Sequence, residues 1–117
     1  MSAVDYRYVC TVVRVIDGDS FEALFDLGFK VSLRETVRLA GIDTPEKVGR
    51  SKARGLAAKA FVEGLLPAGT AVLVQTFKGR DEKFGRFLAS VTLPDGTDLV
   101  ERLIAAGHGV PYDGGKR

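Results

Sequence analysis

Residues 31–46 read Val31-Ser32-Leu33-Arg34-Glu35-Thr36-Val37-Arg38-Leu39-Ala40-Gly41-Ile42-Asp43-Thr44-Pro45-Glu46. Through residue 42 the run predicts a strand, with Val37 and Leu39 on one face and Arg38 on the other. Pro45 pushes Thr44 toward extended backbone and ends the strand there, which holds Asp43 and Glu46 in a fixed relation on one rim. A charge set among Val37, Leu39 and Ala40 must be paired or must line a cleft. Arg38 therefore has two open roles, as partner of Asp19, Asp43 or Glu46, or as a clamp on a phosphate. They are compatible, because an arginine oriented by carboxylates keeps donors for a phosphate. Asp43-Thr44-Pro45-Glu46 is open in the same way between a turn, with Asp43 bonding nearby amides, and a chemically active rim.

Upstream, residues 6–16 are rich in β-branched and aromatic types and read as a strand. Asp17-Gly18-Asp19 is the turn out of it. That turn is either a hairpin with a glycine at positive φ or a pair of aspartates presenting oxygens to a metal. Residues 20–25 continue as a second strand, with Phe21, Ala23 and Phe25 on one face.

Downstream, residues 51–66 predict a helix whose apolar stripe is Ala53, Leu56, Ala57, Ala60, Phe61, Gly64 and Leu65, stopped by Pro67. Residues 71–78 and 86–93 read as two more strands around a charged loop at 79–85. Asp98 caps a second helix with Glu101 three positions on, and Leu99, Leu103 and Ala106 stripe it before Gly107 ends it. The tail, 108–117, is expected to fray unless Tyr112 ties it down, and His108 is given no special role. Three strands, a helix, two strands and a helix is a mainly β, α+β order. It matches a five-stranded OB-fold Greek-key barrel, with one helix between barrel strands 3 and 4 and another at the C-terminal end.

The chain has 117 residues and a net charge of +2. That length predicts a single domain over 1–117, its core at about 6–110, with enough chain to bury a real interior. Bulk charge says little about partners, but residues 47–54 carry Lys47, Arg50, Lys52 and Arg54 with no acid among them. Such a stretch suits a polyanion and equally suits a solvated loop. Cys10 is the sole cysteine, which excludes an intrachain disulfide, and its apolar surroundings suggest a small buried hydrophobe. No run approaches the length of a membrane span. The first residues lack a basic region followed by an apolar one, so the cytoplasm is the default expectation, and secretion the expectation if a leader has been removed. A monomer is expected.

Two aspartates, a glutamate and two arginines at strand ends form the set that metal-assisted attack on a phosphodiester needs. Carboxylates hold a hard cation, a glutamate handles a water proton, and arginines grip phosphate oxygens. Lys83-Phe84-Gly85-Arg86 adds a basic and aromatic group suited to phosphate contact and base stacking.

Three segments, in this order, resemble the staphylococcal nuclease (thermonuclease) family. They are Val15-Ile16-Asp17-Gly18-Asp19-Ser20, Val37 through Glu46, and Lys83-Phe84-Gly85-Arg86-Phe87-Leu88-Ala89. The likeness runs from about residue 13 to 110. It implies an OB-fold and a calcium-dependent nuclease acting on DNA and RNA, cutting the bond to the 5′ oxygen and leaving 3′-phosphate ends. It also implies roles: Asp19 and Asp43 as carboxylate ligands of the metal, Thr44 as a carbonyl ligand, and Glu46 acting on the attacking water. Arg38 and Arg86 would bind the scissile phosphate, with Asp17 behind the metal ligands. Lys83, Phe84 and Tyr112 would contact substrate, Phe84 standing where the family often has tyrosine. The alternatives are a non-catalytic nucleic-acid-binding OB module, and an interaction module whose carboxylates and arginines are internal ion pairs.

Overall fold

Alternation of apolar and polar residues builds most of the chain into one sheet that closes on itself. The computed structural model describes residues 6–45, 49–81 and 85–112, with backbone alone at 78–81. The strands are β1 (Arg7–Asp17), β2 (Ser20–Asp26), β3 (Ser32–Leu39), β4 (Ile42–Asp43), β5 (Ala71–Asp81), β6 (Phe87–Thr92) and β7 (Val110–Pro111). The helices are α1 (Lys52–Leu65), preceded by a 3₁₀ turn at Gly49–Ser51, and α2 (Leu99–Ala105). Five strands close a barrel in the order β1-β2-β3-β6-β5, and β4 pairs with β7 as a separate ribbon. Neighbouring barrel strands are antiparallel except β3 and β6, whose parallel pairing closes it. This is the expected OB-fold.

The core is the inward set of each strand. Val12, Phe21, Ala23, Phe25, Val37, Leu39, Val74, Ala89 and Val91 are all buried. Cys10 is among them, and burial pushes its thiol up to about 12, as suits a small apolar filler. Leu99 and Leu103, one helical turn apart on α2, cover the barrel, while Ala106 is exposed at the helix end. The Asp98 carboxylate accepts from the Glu101 N–H at 3.0 Å, which is the expected cap.

Three expectations need correction. The strand drawn over 31–42 breaks after Leu39, because Gly41 takes φ +83° and turns the chain. The apolar stripe of α1 is rotated: Gly55, Ala58 and Val62 are its buried residues and Leu56 is 45% exposed, while Phe61 and Leu65 of the expected stripe do pack against the core. Gly18 does not have positive φ; it is needed for space. A Cβ there would lie 2.8 Å from the Cβ of Ala58 and 3.4 Å from that of Thr44. The β1–β2 turn is thus pressed onto the small-residue face of α1 and against the loop that follows Asp43.

This contact yields a measurable expectation. Gly18→Ala should cost about 1–3 kcal/mol by overpacking. Adding Ala58→Gly should recover part of that loss, and urea denaturation of the single and double variants reads both values. Additive losses in the double variant would refute the contact.

The tail is tied down as far as Tyr112, and 113–117 lie outside the described residues. Asp43 pairs with Val110 and Ile42 with Pro111 in the β4–β7 ribbon, and the Tyr112 N–H donates to the Gly41 carbonyl at 3.0 Å. Among the described residues, no helix is long and apolar enough to cross a membrane.

Candidate active site

Sheet register brings the first two candidates together. Ser20 pairs with Arg38 across β2 and β3, so Asp19, one residue earlier, meets the C-terminal end of β3. The Leu39 N–H donates to the Asp19 carbonyl at 2.8 Å, which locks that meeting through the main chain. Alternation sends Val37 and Leu39 into the core and leaves Arg38 on the outer face. Its Nη2 lies 3.5 Å from Asp19 Oδ2, both side chains being 15% exposed. Its Nη1 donates to the carbonyls of Leu39 and Ile42, the latter at 3.2 Å. The guanidinium is therefore held on two sides by main chain and on a third by charge. At 3.5 Å the Asp19 contact is longer than a tight charge-assisted hydrogen bond of roughly 2.7–2.9 Å. The carboxylate keeps lone pairs for another cation.

The Gly41 turn then places Asp43. Arg38 reaches the Ile42 carbonyl, so Asp43 follows directly on the clamped residue, and pairing with Val110 fixes its backbone. Thr44 is buried beside the Gly18 turn. Behind Asp19, the Ser20 hydroxyl donates to Asp17 Oδ2 at 3.4 Å, which ties Asp17 to the residue that follows Asp19. Arg86 sits one residue before β6. Parallel pairing sets Leu88 beside Arg38, and alternation puts Arg86 on that same outer face, two residues back. Tyr112 comes to the rim through its bond to Gly41.

Asp17, Asp19, Arg38, Asp43, Thr44 and Tyr112 thus gather at one end of the barrel, and Arg86 stands before the strand that pairs with Arg38. Glu46, Lys83 and Phe84 lie outside the described residues. Among the described residues, no three Asp, Glu, His or Cys side chains come close enough together to hold a metal ion by themselves. The donors on hand are two carboxylates and main-chain carbonyls, all oxygen, a set that suits calcium or magnesium and not a thiophilic ion. Farther along the outer face, Glu22 accepts from Arg14 Nε at 3.0 Å and from Arg34 Nε at 2.8 Å. Chiefly its bond to Arg34 holds the Glu22 carboxyl below the usual carboxylate range. The stabilisation that follows is present at neutral pH and lost as pH falls through that lowered value.

Beside this rim lies a cleft of about 470 Å³, lined by residues that include Asp43, Thr44, Ser51, Arg54 and His108. The His108 ring stands 4.8 Å from that of Phe61, tilted by 39°. Sequence reasoning gave His108 no role. The signal was its two flanking glycines, since a Cβ at Gly109 would fall 2.6 Å from Ile42 Cδ1.

A model of the staphylococcal nuclease homologue family matches residues 36–114. The chain belongs to that family. Arg38, Asp43, Thr44 and Arg86 fall inside the match, and Asp17 and Asp19 precede it. Among curated relatives, an uncharacterized endonuclease of Escherichia coli O157:H7 is 34% identical over 102 residues, covering 87% of this chain and 60% of the relative. An uncharacterized endonuclease of Escherichia coli matches to the same extent. The chain spans about 60% of the length of these family relatives.

Proposed function

We propose that the chain is a calcium-dependent nuclease domain that hydrolyses phosphodiester bonds of DNA or RNA and leaves 3′-phosphate ends. The observation that carries this reading is the restrained Arg38 guanidinium, set between Asp19 and the Ile42 carbonyl next to Asp43. A pure binding surface has no use for two carboxylates where a phosphate must approach. A hydrolase has one, because a cation bound between them reverses the local sign.

Asp19 and Asp43 would hold the ion with the Thr44 carbonyl. When bound, calcium supplies positive charge to the phosphate and lowers the cost of charge developing on its oxygens. Arg38 and Arg86, on one face of adjacent strands, supply donors to the same oxygens. Glu46 would orient the attacking water and accept its proton. Asp17, bonded by the Ser20 hydroxyl, would stand behind Asp19 and steady the turn that carries it. Lys83, Phe84 and Tyr112 would hold the flanking parts of the strand. The clamp on Arg38 does the preorganising: its donors need no rearrangement as the phosphate changes shape.

The test is a calcium titration of cleavage and of binding heat. Asp43→Asn should raise the calcium needed for half-maximal cleavage by at least roughly 10–100-fold, the loss typical of groups that merely support a ligand. An unchanged calcium dependence would reject Asp43 as a ligand.

A further inference from the structure

Extending that reading of the rim, we infer that the cleft between the start of α1 and the Gly107–Gly109 turn holds the nucleotide next to the one being cut, its base against His108 and its phosphate on Arg54. The cleft measures about 470 Å³, within the usual range for a small-molecule site, and shares Asp43 and Thr44 with the rim. A strand lying across Asp43 therefore has a connected place for its neighbouring unit. The walls have the two characters a nucleotide needs. One is a ring: His108 is half-buried and braced against Phe61 at 4.8 Å, so it is set in place rather than swinging in solvent. Bases of any kind stack on such a ring. Gly107 and Gly109 on either side of it carry no side chain to block a flat partner.

The other wall is a cation. Arg54 is exposed and, among the described residues, makes no ion pair. It belongs to a first helical turn with no acid in it, preceded by Arg50, and Ser51 does not cap that turn with its side chain. Positive side chains at the positive end of a helix dipole are unfavourable, and a phosphate seated there relieves both. Neither Arg54 nor His108 belongs to the proposed chemistry, so their substitution separates binding of the neighbouring unit from cleavage.

The experiment is fluorescence anisotropy with 5′-fluorescein-labelled hexathymidylate and dithymidylate, in chelator so that nothing is cut. His108→Ala should weaken hexamer binding about 10-fold, the scale of one lost base stack. His108→Phe should restore it. Arg54→Gln should flatten the slope of log affinity against log salt by about 0.7, one phosphate contact on a single strand. The dimer has a single internucleotide phosphate, which cannot lie at the rim and on Arg54 at once, and should be little affected by any of them. Unchanged hexamer affinity and salt slope would overturn the inference. So would losses shared equally by the dimer, or a His108→Ala loss that merely follows a fall in melting temperature. Because the readout is binding without turnover, failure of the protein to cut nucleic acid would sink the nuclease reading and leave this result standing on its own.

Discussion

Replacing Arg38 by lysine is expected to lower kcat/KM for single-stranded DNA by about 10²–10³, the cost of removing one oriented donor from a developing negative charge. The substitution keeps a positive charge and a long stem. What it loses is the planar fork that lets one side chain bond the Leu39 and Ile42 carbonyls and still face Asp19. A lysine ammonium can satisfy some of these partners, but it cannot hold them while presenting two donors in a fixed plane to a phosphate. The fold should survive, because the main-chain bond from Leu39 to Asp19 and the Ser20–Arg38 pairing do not depend on the side chain. Steady-state kinetics beside a thermal melt checks both halves. A lysine variant with an undiminished rate would show that the arginine is structural.

The second large effect is on stability. Phe21→Ala should cost about 3–5 kcal/mol, as removal of a fully enclosed aromatic ring does. Phe21 has no exposed surface and faces Val37 across β2 and β3. Its neighbour Ser20 is paired with Arg38, so the core beneath the rim and the rim itself share one stretch of ladder. A total stability of about 5–15 kcal/mol makes that loss a large fraction of the whole. Urea denaturation measures it. Because no rim group is removed, cleavage per folded molecule at low temperature should fall far less than in Arg38→Lys. A loss in Phe21→Ala below about 1 kcal/mol would place the ring outside a close-packed core.

Much of this architecture was legible in the residues. β-branched and aromatic content marked β1 and alternation marked β2, and these with β6 lie within about a residue of their observed bounds; the inward faces of β2 and of the end of β3 were legible as well. Asp98 marked the start of α2 because its side-chain acceptor has one useful place, the amide of Glu101. The errors have physical causes. Helical spacing put Leu56 in the stripe of α1, but the turn at Gly18 comes so close that the small Ala58 faces it instead. The strand over 31–42 ran too far because a single glycine can either continue a strand or turn it, and Gly41 turns it. That turn is what gives Asp43 its own short strand and its partner Val110. The ribbon that secures residues 110–112 is made of main-chain bonds from Ile42 and Asp43 to the exposed Val110 and Pro111, and no side-chain pattern announces it. Arg38 stood out because a charge inside an apolar strand requires an explanation, and Asp19 and Asp43 because each belongs to a short acidic motif at a strand end. The setting of His108 was not legible because its surroundings come from Phe61 and from the β4–β7 ribbon, both distant in sequence or unpatterned.

The most direct measurement is digestion of heat-denatured DNA with calcium, with magnesium and with chelator, beside Glu46→Gln purified identically. Cleavage that requires calcium, stops in chelator and is lost in the variant is the predicted result. Equal cleavage by both proteins, or cleavage indifferent to chelator, would contradict a metal-dependent site built on Asp19, Arg38, Asp43 and Glu46.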